Sequence, residues 1–190
     1  MIRLALFASG SGTNVENIAK FFKKDPDIKI VSICSNHQHA FVLERAKKLG
    51  IPSFVFNRND FYQSDTVVQH LNACRADWII LAGFLWLVPE NLLAAYHNHI
   101  VNIHPALLPK YGGKGMYGDR VHEAVIGSGD KESGITIHLV NPEYDRGQIV
   151  FQARCPVKPG DTAETLAQRV HQLEYEYYPK VIEKLVKGER

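Results

Sequence analysis

Short apolar runs recur along the chain, separated by turn residues and by stretches whose apolar positions fall at helical spacing. Residues 2–8 are apolar except for Arg3 and run into Ser9-Gly10-Ser11-Gly12, which predicts a central strand. Val15, Ile18, Ala19 and Phe22 then mark one face of a helix over residues 14–22, and residues 28–34 form a second strand. The pattern continues with a helix over residues 40–49 closed by Gly50, a strand over 53–56, a helix over about 61–74 and a buried strand over 78–82. Pro89 opens a helix running to about His97, and Ile100-Val101 begins another strand. Strand and helix thus alternate four times before that strand, which predicts a parallel sheet covered on both faces.

The pattern changes afterwards. Residues 134–140 alternate Ile135, Ile137 and Leu139 with Thr136, His138 and Val140, residues 141–147 turn, and residues 148–157 return as a longer strand. About seven residues cannot carry a parallel crossover, so the pair predicts an antiparallel hairpin at the sheet's edge. Asp161-Thr162-Ala163-Glu164 reads as a capping box opening a last helix with an apolar stripe of Leu166, Val170, Leu173 and Tyr177, which Pro179 kinks or ends before residues 181–185. The fold class is therefore α/β: an open, mostly parallel twisted sheet with helices on both faces and an antiparallel C-terminal hairpin. Residues 1–190 are expected to form one domain, with an N-terminal half of about 1–100 and a C-terminal half of about 101–190.

Composition narrows the function class without naming it. With 190 residues, 45% hydrophobic and 22% charged, the chain suits one globular core. A net charge of +2 is too mild to announce nucleic acid as a partner. No run approaches the roughly 20 apolar residues of a membrane span. Cys34, Cys74 and Cys155 are odd in number and widely spaced, which fits a reducing compartment and an expected cytoplasmic location.

The candidate chemistry centres on Asn102-Ile103-His104-Pro105. Residues two apart on a strand share a face, so amide and imidazole stand side by side, and Pro105 ends the ladder where they emerge. On spacing alone, such a pair is more often structural than catalytic. The glycine-rich turn 9–14 lies between a strand and a helix start, the arrangement that offers backbone N–H groups to a phosphate, although a tight turn without ligand has the same sequence. A dinucleotide site is disfavoured, because Gly10-x-Gly12 lacks the third glycine spacing and the second strand ends in Ser35-Asn36-His37 with no acid for the ribose. Four glycines in residues 112–118 make a flexible loop that is either a lid or a neutral insertion. A short helix follows, carrying His122, Ala124 and Val125 and ending at Gly127. His97, His99 and His104 do not share one element or a supporting cysteine, so no metal is expected.

Asn102-x-His104-Pro105 followed by Leu107-Leu108-Pro109 resembles the signature of the folate-dependent formyltransferases, a group that includes enzymes acting on glycinamide ribonucleotide, on methionyl-tRNA and on formyltetrahydrofolate itself. The likeness to the first covers almost the whole chain. It implies 10-formyltetrahydrofolate as co-substrate, glycinamide ribonucleotide as formyl acceptor in purine biosynthesis, and small molecules rather than nucleic acid or membrane as partners of a monomer or homodimer. It implies Asn102, His104 and, from the Asp-x-Gly pattern of the hairpin turn, Asp145 as catalytic residues; a turn Asp alone is otherwise a turn former. Gly12, Thr13 and Asn14 carry over as phosphate contacts, and Glu174, five residues before Pro179, as a contact to the substrate's amine region. Leu85, Trp86, Leu87, Val88, Asn102, Val140, Asn141 and Tyr144 carry over to the folate. The family usually has Gly-Phe-Met-Arg-Ile-Leu where this chain has Gly-Phe-Leu-Trp-Leu-Val, so Trp86 replaces a cation. Direct transfer is implied, with Asn102 on the oxyanion and His104 held protonated by Asp145. Another folate-dependent formyltransferase, a formyltetrahydrofolate hydrolase and a nucleotide-binding regulatory module are the rival readings. Among these rivals, a methionyl-tRNA formyltransferase is expected to carry a basic extra domain after the hairpin, and a formyltetrahydrofolate hydrolase an extra N-terminal regulatory domain.

Overall fold

The structure, a computed structural model, describes residues 1–189. Seven strands form one sheet in the order β3-β2-β1-β4-β5-β6-β7. The strands are β1 (Ile2–Phe7), β2 (Ile28–Ser35), β3 (Ser53–Val55), β4 (Trp78–Leu81), β5 (Ile100–His104), β6 (Glu132–Leu139) and β7 (Ile149–Pro156). β1 pairs in parallel with β2 and β4, β2 pairs in parallel with β3, and β6 and β7 are antiparallel. The mixed α/β sheet with an antiparallel end is thus the architecture its sequence pattern implies. By backbone proximity the chain divides into two compact units, Met1–Val101 and Asn102–Arg190.

In the first unit, Leu4, Ala5, Leu6 and Phe7 are all fully buried, so both faces of β1 are covered, as a continuous apolar run requires. Helix α1 (Thr13–Phe21) follows β1 through Gly12, whose φ of 72° is left-handed. A Cβ there would lie 2.3 Å from Val42 Cγ2, so glycine is required for conformation and for space. Helix α2 (Phe41–Leu49) ends at a left-handed Gly50, as expected.

The single helix expected over 61–74 is instead two, α3 (Arg58–Tyr62) and α4 (Thr66–Ala73). Asn57 and Asp60 cap α3 reciprocally, and Ser64 Oγ turns back to Asp60 O at 3.1 Å and on to Thr66 Oγ1 at 2.9 Å. Polar side chains bonding the local backbone in this way compete with helix continuation. Helix α5 (Glu90–Ala95) stops short of His97 because Asn98 takes a left-handed φ of 58° and His99 N–H closes on Tyr96 O at 2.9 Å.

In the second unit, helix α6 (Asp119–Ser128) runs through Gly127, the expected end, to a left-handed Gly129. Helix α7 (Ala163–Lys187) is capped by Thr162 with Thr165, not by Asp161 with Glu164. Asp161 is drawn away to Arg169, Oδ2 to Nη1 at 2.7 Å. Nor does Pro179 end the helix, which continues to Gly188. Tyr178, Pro179 and Ile182 are buried there, and tertiary packing of this kind outweighs the loss of one backbone N–H. The buried stripe is Leu166, Val170, Glu174, Tyr178 and Ile182, so Glu174 lies within it and Leu173 and Tyr177 flank it.

Candidate active site

β5 ends at the expected place and delivers Asn102 half-buried and His104 buried. The exit after Pro105 is fastened to the hairpin. Thr136 Oγ1 donates to Ala106 O at 2.7 Å and accepts from Leu108 N at 3.0 Å, while Gln152 Nε2 donates to Leu108 O at 3.1 Å and to Thr136 Oγ1 at 2.8 Å. The polar pair therefore emerges from a loop with little room to shift.

The hairpin turn brings Asp145 to the same pair. Asp145 has a left-handed φ of 54°, which a short polar side chain tolerates. The glycine of the Asp-x-Gly pattern has a steric cause: a Cβ on Gly147 would lie 1.6 Å from Leu139 O. Asp145 Oδ2 stands 3.5 Å from His104 Nδ1 and accepts Gly113 N–H at 2.9 Å, and Oδ1 stands 3.6 Å from His138 Nε2. His104, His138 and Asp145 side chains are only 5%, 3% and 11% exposed, so these charges act in a largely dry setting.

The backbone carbonyls around the ring nitrogens assign the protons. His104 Nε2 lies 2.7 Å from Tyr111 O, and a carbonyl only accepts, so Nε2 carries hydrogen and Nδ1 is the nitrogen turned toward Asp145. His138 Nδ1 likewise donates to Leu139 O at 3.0 Å, leaving Nε2 to accept from Asn102 Nδ2 at 3.2 Å. That contact uses one N–H of the Asn102 amide and leaves the second for a ligand.

The surroundings of His104 pull its charge in opposite directions. Burial pushes its pKa down from the usual histidine value, and this outweighs the upward pull of Asp145 and of the Tyr111 carbonyl. For Asp145, burial works to raise the pKa, but His138, His104 and the Gly113 amide together hold it below the usual carboxylate range. These directions favour a neutral imidazole beside a carboxylate at neutral pH.

Glu174 is 4% exposed and its Oε2 lies 2.8 Å from His171 Nδ1, a bond that raises the histidine's pKa. His122 is buried on α6 and burial lowers its pKa, with the His171 charge acting in the same direction. In the turn, Asn141 Oδ1 accepts Glu143 N–H at 3.0 Å and Nδ2 donates to Arg146 O at 3.0 Å, so its side chain shapes the turn itself. Val140 and Tyr144 flank it half-buried.

The remaining residues singled out from the sequence lie in the first unit. Gly12 precedes α1, and Thr13 and Asn14 form its first turn, where backbone N–H groups have no acceptor in the helix itself. Arg45 Nε steadies this turn by donating to Ser11 O at 2.8 Å. Ser9 ties the turn to the 83–88 segment, donating its N–H to Gly83 O at 2.9 Å and accepting Leu85 N–H on Oγ at 3.0 Å. Leu85 is exposed and Val88 buried, while the Leu87 carbonyl accepts the Tyr62 hydroxyl at 2.9 Å. Trp86 packs among Phe56, Phe61, Tyr62 and Phe84, and the Arg58 guanidinium lies 5.8 Å from its ring centroid. A cation therefore stands next to the position where the family's arginine is missing.

A profile of the family described as formyl transferase matches residues 2–182. The chain belongs to the formyl transferase family. It is 40% identical over 187 residues to the chloroplastic phosphoribosylglycinamide formyltransferase of Arabidopsis thaliana, covering 95% of this chain and 64% of that protein. It is 37% identical to the phosphoribosylglycinamide formyltransferase of Haemophilus influenzae, covering 99% of this chain and 89% of that one. The crystal structure of the protein of that name from Streptococcus pneumoniae superposes with a TM-score of 0.86 at 36% identity, covering 98% of this chain and 99% of that one. The chain thus spans less than two thirds of the Arabidopsis relative's length.

Among the residues of this formyl transferase family member, His138, Tyr111 and Gly113 take part in the cluster although the sequence did not single them out. His138 was legible only as one polar position in an alternating strand. Tyr111 and Gly113 contribute main-chain atoms, which leave no side-chain signal. Among the described residues, no group of three or more His, Cys, Asp or Glu is placed to hold a metal ion, and no helix is long and apolar enough to cross a membrane.

Proposed function

We propose that the chain transfers the formyl group of 10-formyltetrahydrofolate to the amino group of glycinamide ribonucleotide, giving formylglycinamide ribonucleotide and tetrahydrofolate. The observation that carries the reading is the cluster in which Asp145 of the hairpin turn stands 3.5 Å from His104 Nδ1 and 3.6 Å from His138 Nε2, while His138 Nε2 lies 3.2 Å from Asn102 Nδ2. The names of relatives aligned over nearly the whole chain supply the acceptor and the group transferred, and the family resemblance supplies the folate donor.

In this reading the acceptor amine attacks the formyl carbon and an oxyanion develops. Asn102 donates its second amide N–H to that oxygen, an effect whose loss typically costs ~100 to 1000-fold in rate. His104 takes the amine proton on Nδ1 as the new bond forms, and the imidazolium is stabilised by Asp145. At 3.5 Å the His104 Nδ1–Asp145 Oδ2 separation is too long for a strong direct hydrogen bond, and it shortens once the ring is charged. The proton then passes to the departing folate nitrogen as the old carbon–nitrogen bond breaks, so each turnover leaves His104 neutral. Proton transfer of this kind contributes on the order of 100 to 10,000-fold.

Gly12, Thr13 and Asn14 hold the substrate phosphate at the positive end of α1, and buried Glu174 orients the amine region. Residues 85–88 with Asn102, Val140, Asn141 and Tyr144 contact the folate, residues 85–88 through main-chain atoms that the change to Trp86 leaves in place. A cytoplasmic location and a monomer or homodimer acting on small molecules complete the proposal, and the three unpaired thiols support a reducing compartment.

Mixing purified protein with each substrate alone and then with both, while following folate absorbance, tests the reading. Tetrahydrofolate appearing only when both are present supports it. Release of formate without the acceptor makes the protein a hydrolase, and no change in any mixture makes it a binding module.

A further inference from the structure

Residues 84–88 lie between β4 and α5 in neither helix nor strand. Phe84 and Val88 anchor the two ends in the core, at 8% and 4% exposure, while Leu85 between them is exposed. Among the described residues, no main-chain group of residues 84–88 bonds to another main-chain group. Two side-chain hydroxyls take that place. Ser9 Oγ, in the turn after β1, accepts Leu85 N–H at 3.0 Å, and Tyr62 Oη, at the end of α3, donates to Leu87 O at 2.9 Å.

Each hydroxyl is itself held. Ser9 is 8% exposed, and its own N–H is committed to Gly83 O at 2.9 Å. The Tyr62 ring packs against Phe61 and Trp86, with centroids 5.0 and 5.8 Å away, and the Arg58 guanidinium lies 5.0 Å over it. Ser64 turns back to Asp60 O and stops α3 just past this tyrosine, so the interruption between α3 and α4 leaves the ring at a helix end.

We propose that Ser9 and Tyr62 are positioning residues that set the main chain of 85–88 for the folate, through the Leu85 N–H and the Leu87 carbonyl. The inference rests on the reading above, in which this segment meets the folate through main-chain atoms. An irregular segment with no ladder to hold it samples many conformations, and ordering it on binding costs affinity. Fixing the Leu85 N–H and the Leu87 carbonyl, on either side of Trp86, removes part of that cost before the ligand arrives, and leaves the Trp86 N–H and C=O uncommitted between them. Neither hydroxyl needs to touch a substrate.

The test measures Kd for tetrahydrofolate and for glycinamide ribonucleotide by titration calorimetry in the full chain and in Ser9→Ala and Tyr62→Phe. Both substitutions delete one oxygen and keep the rest of the side chain. Each is expected to weaken tetrahydrofolate by roughly 3- to 10-fold, the worth of one hydrogen bond, while glycinamide ribonucleotide stays within about twofold. The indole gives a second readout, because in a Trp78→Phe background Trp86 is the only tryptophan. Its fluorescence is expected to become more open to acrylamide quenching in both variants. A tetrahydrofolate Kd within about twofold of wild type in either variant, an equal weakening of both ligands, or unchanged quenching overturns the positioning role and leaves the proposed function standing, since the wild-type protein still binds both. A wild-type protein that binds no tetrahydrofolate overturns the positioning role and the proposed function together.

Discussion

Asp145 faces two imidazoles and a backbone amide, which hold its carboxyl ionised, while burial dominates the charge of His104. The direction of the His104 shift carries a prediction. Because burial lowers its pKa, the ring is neutral and able to accept a proton at neutral pH, and kcat/KM falls only as pH drops below the ordinary histidine value of 6.5. Asp145→Asn removes the charge that opposes burial, so the acidic limb of the profile moves to still lower pH while kcat drops by roughly 100-fold or more. A limb that stays put in Asp145→Asn, measured with saturating folate co-substrate, contradicts the coupling. Asn102→Ala removes the proposed oxyanion donor and lowers kcat by ~100 to 1000-fold with little change in KM for the phosphate-bearing substrate. At this scale the site was half legible. The i, i+2 spacing placed Asn102 and His104 together by strand geometry alone, but Asp145 is separated from them by about forty residues of chain and was reachable only through the resemblance. The neutrality of His104 was not legible at all, because it depends on how deeply the ring is buried.

The elements were readable wherever one face or a continuous run met the core. β1, β2 and β4 announced themselves as apolar runs, and the hairpin by the length of its turn. What failed were the ends and interruptions, since these depend on single side-chain bonds. Ser64 breaks a helix that periodicity joins, and Asp161 leaves its capping position for Arg169. On α7, a stripe displaced by one residue hid that Glu174 faces inward. The hairpin turn offers the sharpest element-scale prediction. In Gly147→Ala the added methyl meets Leu139 O, so the turn must open and carry Asp145 away from His104. Both Tm and kcat fall, whereas Gly127→Ala on α6, with no atom within 4 Å of the added Cβ and no left-handed φ, leaves kcat unchanged. Equal effects of the two substitutions on kcat would contradict the packing argument. Gly12→Ala, which drives a methyl into Val42, is expected to raise KM for glycinamide ribonucleotide more than it lowers kcat.

For the molecule as a whole, buried histidines link stability to pH. Burial lowers the pKa of His70, His104 and His122. In each case the unfolded chain binds the proton more readily, so stability declines as pH falls from 6.5 toward the folded values. His171 acts in the opposite sense: its pKa is raised by Glu174, so its stabilisation is complete below 6.5 and is lost as pH rises through the folded value. Three groups against one predict a Tm that falls between pH 7 and pH 5.5, and His122→Gln flattens that fall; a Tm that rises on acidification would contradict it.

The central claim is that His104 handles the transferred proton, and single-turnover kinetics of formyl transfer in His104→Ala test it most directly. The account predicts a chemical step slowed by ~100-fold or more with the Kd for glycinamide ribonucleotide unchanged. A chemical step within about twofold of wild type, in a variant that is folded and binds both substrates, would contradict it.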